Sequence, residues 1–104
     1  MKAYIVLIAE KAKNDMYEIT RYISEDLLNA VAASRVLQKF EDAIAGLSNM
    51  PERHEKVRDE WAQSRQIRKL LVDNYIIFYT IEESEVKVNV IRILYMRRDW
   101  INLI

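Results

Sequence analysis

The stretch from Gln66 to Tyr95 constrains this chain most. Three runs rich in Val, Ile and Tyr follow one another with short breaks: Gln66 to Val72, Tyr75 to Ile81 and Val86 to Tyr95. Such runs read as strands. Asp73-Asn74 separates the first two, and both residue types tolerate the positive φ of a tight hairpin turn. Glu82 to Glu85 makes a second, looser turn. Breaks this short leave no room for a crossover, so the three strands pair antiparallel.

Ahead of them the period changes. Tyr4-Ile5-Val6-Leu7-Ile8 is a short, continuous apolar run that suits a buried strand. From Glu10 the apolar residues Ala12, Met16, Ile19, Ile23 and Leu27 step by three and four, which puts them on one helical face. Asn29 is a good N-cap for a second helix, in which Ala33, Val36, Leu37, Phe40, Ile44 and Leu47 repeat that spacing. The short break between the helices predicts an antiparallel hairpin. Pro51 to Ser64 is charged and weakly periodic, a loop with one helical turn anchored by Trp61. Arg98 to Ile104 adds a short terminal helix or arm. The 104 residues form a single domain, 1–104. Its class is α+β: an N-terminal strand, an antiparallel helical hairpin packed on a mostly antiparallel four-stranded sheet, and the C-terminal arm.

Composition removes several chemistries. Without cysteine there is no disulfide, no thiolate nucleophile and no cysteine-ligated zinc. One histidine, His54, argues against a histidine metal centre or a Ser-His-Asp triad. One glycine, Gly46, is too few for a P-loop or a dinucleotide fingerprint. No metal and no cofactor are expected. The net charge is zero, so a basic site must come from local clustering. The N-terminal apolar run is shorter than the ~7–15 residues of a secretory core or the ~20 of a membrane span. A cytoplasmic protein with no membrane partner is expected.

Hairpin register assigns the two sheet faces. A two-residue loop opposes Val72 to Tyr75, Leu70 to Ile77 and Arg68 to Tyr79. A four-residue second loop opposes Ile81 to Val86, Tyr79 to Val88 and Tyr75 to Arg92. Leu70, Val72, Tyr75, Ile77, Tyr79, Ile81, Val86, Val88, Val90 and Leu94 then face the helices. Leu71, Ile76, Phe78, Ile91 and Ile93 form an apolar patch on the other face. Such a patch is usually covered, here in part by Trp100, Ile101, Leu103 and Ile104, with the rest open to a partner. Arg65, Arg68, Lys69, Arg92, Arg97 and Arg98, with Tyr95 among them, gather in the C-terminal part of the chain. They read either as a solvated sheet edge that discourages aggregation, or as a phosphate-binding site.

Several stretches, in order, resemble the RelE/ParE superfamily of toxins from bacterial type II toxin–antitoxin modules. They are Tyr22-Ile23 with Asn29 to Ala33 at the helix junction, Leu47 to His54 after the second helix, Arg68 to Tyr79 across the central hairpin, and Val90 to Asp99 at the last strand and exit. The resemblance spans essentially the whole chain. It implies a toxin held inactive by a cognate antitoxin in a hetero-oligomer, the antitoxin laying an extended segment over it. RelE-like members cut mRNA on the ribosome without a metal, and ParE-like members inhibit DNA gyrase. The RelE-like reading comes first, with gyrase inhibition as the alternative. Metal-free cleavage needs proton transfer at the 2′-OH and cations for the phosphorane charge. The resemblance assigns Arg68, Tyr95 and Arg97 to catalysis. Arg65, Lys69, Arg92 and Arg98 are assigned to substrate binding, and Leu71, Ile76, Phe78, Ile91 and Ile93 to the partner.

Overall fold

Alternating and continuous apolar runs become four strands, and the three-four spacing becomes two long helices. The computed structural model describes residues 2–104. In chain order the elements are β1 (Ile5–Ile8), α1 (Glu10–Arg21), a π-helical turn (Tyr22–Asp26), α2 (Ala30–Gly46) and α3 (Glu60–Ser64). The hairpin strands β2 (Arg68–Val72), β3 (Tyr75–Glu82) and β4 (Lys87–Tyr95) follow. Single 3₁₀ turns lie at Pro51–Arg53, Glu83–Glu85 and Trp100–Asn102. The sheet order is β1-β4-β3-β2, with β1 parallel to β4 and the other pairs antiparallel.

Local chemistry explains the helix starts. The Asn29 side chain accepts from the Ala32 N–H at 3.0 Å, capping α2 as expected. Asp59 does the same for α3 through the Trp61 and Ala62 N–H groups. The expected helical turn after Pro51 is therefore present. Its buried anchor is Ala62, while Trp61 is 42% exposed beneath Arg65, whose guanidinium carbon is 4.6 Å from the ring centre.

The first hairpin has the expected register, with Arg68 opposite Tyr79 and Val72 opposite Tyr75. The second differs. Ile81 pairs with Val88, Tyr79 with Val90 and Tyr75 with Tyr95. One cause is Val86, which takes a left-handed φ of 54° at the end of the turn. Its carbonyl accepts the Ile5 N–H of β1 at 3.0 Å, so it closes the turn and does not face Ile81. The other is a bulge: Phe78 pairs with Arg92 and Tyr79 with Val90, leaving Ile91 as an extra residue. One extra residue exchanges the faces of everything beyond it. Ile93 turns in to the helices, and Leu94 turns to the opposite face.

Two apolar cores result. Between sheet and helices lie Ala12, Phe40, Ile44 and Leu47 against Ile77, Tyr79, Val88, Val90 and Ile93. On the far face Ile76, Phe78 and Leu94 are roofed by Val57, Ala62 and Ile67, with Ile91, Trp100, Leu103 and Ile104 alongside. The Trp100 ring lies tilted on Phe78 at 5.2 Å. The patch expected to await a partner is thus largely covered by the chain itself. Ile76, Phe78 and Ile93 are interior, Ile91 is half-buried, and Leu71 alone is exposed, at 58%.

Candidate functional site

The cationic residues do not converge on one point, because most of them are engaged locally. Arg68 leaves β2 toward the 3₁₀ turn, where its Nη1 donates to the Glu52 carbonyl at 3.0 Å and the His54 carbonyl at 2.6 Å. Lys69, one residue on and so on the opposite face, pairs with Glu55 at 3.5 Å. The Lys69 N–H also donates to the Glu55 carbonyl at 3.1 Å, which stitches the 55–57 segment to the β2 edge. Arg92 is pinned by Asp15 of α1, with Nε and Nη2 each 2.8 Å from a carboxylate oxygen, and its Nη1 donates to the Leu103 carbonyl. That hydrogen bond to Asp15 holds the Arg92 guanidinium even further above neutrality than usual.

Arg65 lines an open groove of about 720 Å³ between the start of α1, the far end of β3 and the C-terminal tail. Arg92 lines the same groove, so those two substrate-binding candidates share a surface. Arg97 and Arg98 are exposed after the end of β4 and make no ion pair among the described residues. There the Arg98 N–H turns back on the Tyr95 carbonyl at 3.0 Å.

Tyr95 stands apart from Arg68 by four registers and two strands, which is about 16 Å across the sheet. It lies in a pocket of about 500 Å³ lined by Glu18, Ile19, Tyr22, Tyr75 and itself, with no cation among them. Its ring meets Tyr75 edge-on at 5.9 Å, and Tyr75 meets Phe40 at 5.4 Å. Burial pushes the Tyr75 hydroxyl pKa up. The register explains why sequence reasoning missed this aromatic pocket: the turn and the bulge together carry the partner of Tyr75 three residues on, from Arg92 to Tyr95. The α1 partner Asp15 carried no sequence signal either, since it reads as one more polar residue on an amphipathic helix.

His54 lies beside the Arg68 anchor. Partial burial, with the charges of Arg53 and Arg68, lowers its pKa, and the neutral imidazole accepts from Arg53 Nε at 3.3 Å. The Tyr79 hydroxyl donates to the Pro51 carbonyl inside the first core, and burial pushes it up to about 12.

The fold is the one seen in small α+β toxins of RelE/ParE type. It superposes on a chain of the chromosomal ParDE toxin–antitoxin system of P. aeruginosa with a TM-score of 0.74 at 13% identity, covering 91% of this chain and 98% of that one. A mutant E. coli RelE toxin in the free state gives 0.67 at 17% identity, covering 97% and 92%. The RelBE2 toxin–antitoxin complex of Mycobacterium tuberculosis gives 0.61 at 20%, covering 91% and 93%. No curated protein sequence matches. The profile of the ParE toxin of the type II toxin–antitoxin system parDE matches residues 6–100, and the chain belongs to that family. Among the described residues no helix is long and apolar enough to cross a membrane.

Proposed function

We infer that this toxin arrests growth by binding and inhibiting a protein target, DNA gyrase, and that a cognate antitoxin holds it inactive in a hetero-oligomer. This reverses the order in which the sequence ranked the two mechanisms. One observation carries the change: Tyr95 stands about 16 Å across the sheet from Arg68, and the pocket it lines includes neither Arg68 nor Arg97. Transition-state stabilisation of a phosphorane requires donors already aimed at the charge that develops. Arg68 commits its Nη1 to two backbone carbonyls, and Tyr95 sits among aromatic rings and Glu18. The zero net charge and the ParE family match support the same reading.

The test uses purified toxin in two reactions side by side. Gyrase-driven supercoiling of relaxed plasmid should fall with added toxin and recover when antitoxin is added. Messenger RNA on programmed ribosomes should remain intact. Cleaved message with unimpaired supercoiling would reverse the assignment.

A further inference from the structure

The pocket between the end of α1 and the paired ends of β3 and β4 is walled by tyrosines whose polar ends the fold leaves unused. Glu18, Ile19, Tyr22, Tyr75 and Tyr95 line it. Tyr75 and Tyr95 are direct partners across the two strands. Their rings stand 5.9 Å apart and inclined at 68°, which makes an inside corner. Tyr22, from the π-helical turn, adds a third ring and is half-exposed. Among the described residues only the Tyr4 and Tyr79 phenols have hydrogen-bond partners, so the three phenols here have none. After burial, the Tyr95 and Tyr22 phenols are the next causes that raise the Tyr75 pKa, which makes the three hydroxyls near neighbours.

Grouped aromatic rings attract a cation through the negative potential of their faces. Free phenol oxygens add acceptors, and arginine and lysine side chains carry donors only. The local charges agree. Glu18 shares Arg21 with Glu25, at 3.1 and 3.5 Å, so one guanidinium serves two carboxylates. Arg21 itself lines a different groove, between α1 and α2. Asp73, which also acts on the Tyr75 phenol, is balanced by Lys39 at 3.0 Å. Arg97 and Arg98 follow Tyr95 in the chain but are not among the residues of the pocket wall. A purely apolar occupant would cover three phenols and a carboxylate without satisfying them, which is costly. We propose that this pocket is an aromatic cage for one arginine or lysine side chain of the antitoxin. The family match is to the toxin of a toxin–antitoxin pair, which makes the antitoxin the partner to assign. The proposal rests on the antitoxin half of the reading above and not on gyrase.

Two measurements test it. Purified toxin is titrated with N-acetyl-arginine amide and with its neutral isostere N-acetyl-citrulline amide, while the tyrosine ring resonances are followed by NMR. Saturable shifts of Tyr22, Tyr75 and Tyr95 with the arginine probe alone support the cage. An equal response to both probes, or to neither, overturns it. The second measurement is affinity for the antitoxin encoded with this toxin. Tyr95→Phe keeps the aromatic face and should stay within about twofold of wild type, whereas Tyr95→Leu should lose about tenfold. Tyr22→Leu, at a half-exposed position outside the Tyr75–Tyr95 ring pair, should lose affinity in the same direction with an unchanged melting temperature. Leucine variants that bind antitoxin as well as wild type overturn the proposal, because an apolar occupant accepts leucine and a cation does not. So do leucine variants that lose only gyrase inhibition, which would make the target the occupant. If wild-type toxin forms no antitoxin complex, the antitoxin reading fails and the probe titration alone decides the cage.

Discussion

Asp15 of α1 and Arg92 of β4 form a two-point ion pair, with both contacts at 2.8 Å and side chains only 13% and 16% exposed. The same Asp15 carboxylate accepts the Ile93 N–H at 2.9 Å. β1 pairs with β4 only from Lys87 to Val90. Beyond that point the β4 edge would present an unpaired donor, and Asp15 stands in for the missing strand. The pair therefore ties helix, sheet and, through the Leu103 carbonyl, the C-terminal tail.

Asp15→Ala should cost about 3 kcal/mol, because it strands a partly buried guanidinium and an edge N–H together. Arg92→Met in the same background should restore part of that loss by removing the orphaned charge. Urea unfolding of the two single variants and the double variant measures both effects. Equal stability of Asp15→Ala and wild type would show the pair to be energetically idle.

Phe78 and Leu71 should separate cleanly despite sharing a sheet face. Phe78→Ala opens a cavity under Trp100 and should cost about 3–5 kcal/mol. Leu71→Ala, at an exposed strand position, should stay within about 0.5 kcal/mol. Thermal melts decide. A soluble, stable Phe78→Ala protein would mean the far-face core contributes little.

Tyr95→Phe removes a hydroxyl that has no hydrogen-bond partner among the described residues, so growth arrest on expression should persist. Arg68→Ala leaves two carbonyls without their donor and should lower stability by about 1.5–3 kcal/mol. Activity per folded molecule should be unchanged. Titration of active toxin against antitoxin, alongside melting curves, distinguishes lost folding from lost chemistry. A Tyr95→Phe toxin that folds but no longer arrests growth would restore the catalytic role implied by the family resemblance.

Two of the shifted groups contribute to the pH dependence of stability. His54 has a lowered pKa in the fold, so the unfolded chain takes up its proton more readily. Stability from the neutral imidazole is present above the ordinary value of 6.5 and is lost as pH falls below it. His54→Gln should flatten the acid side of the stability profile. Tyr79 is shifted the other way, from 10.0 to about 12. Its contribution is full below 10.0 and is lost as pH rises toward about 12, where the phenol buried against Pro51 must ionise. Tyr79→Phe should remove that alkaline loss while lowering stability at neutral pH. Denaturant midpoints across pH, followed by circular dichroism, test both limbs.

Periodicity alone determined the α+β class, both long helices, the Asn29 cap and the tight Asp73-Asn74 hairpin, because each of these is local. A helix face or a two-residue turn is written within a few neighbouring side chains. Tertiary structure alone decided the rest. The extra residue at Ile91 exchanged Ile93 for Leu94 between the faces, since one inserted residue reverses every side chain after it. The 55–67 segment and the tail closed over Phe78, a covering that depends on where distant segments land. The arginines clustered in sequence were dispersed by their partners: Asp15 is seventy-seven residues from Arg92, and the carbonyls that hold Arg68 come from a turn fourteen and sixteen residues away. A charge run reveals which residues are basic. Whether they are free to grip a ligand depends on long-range contacts that no local pattern encodes.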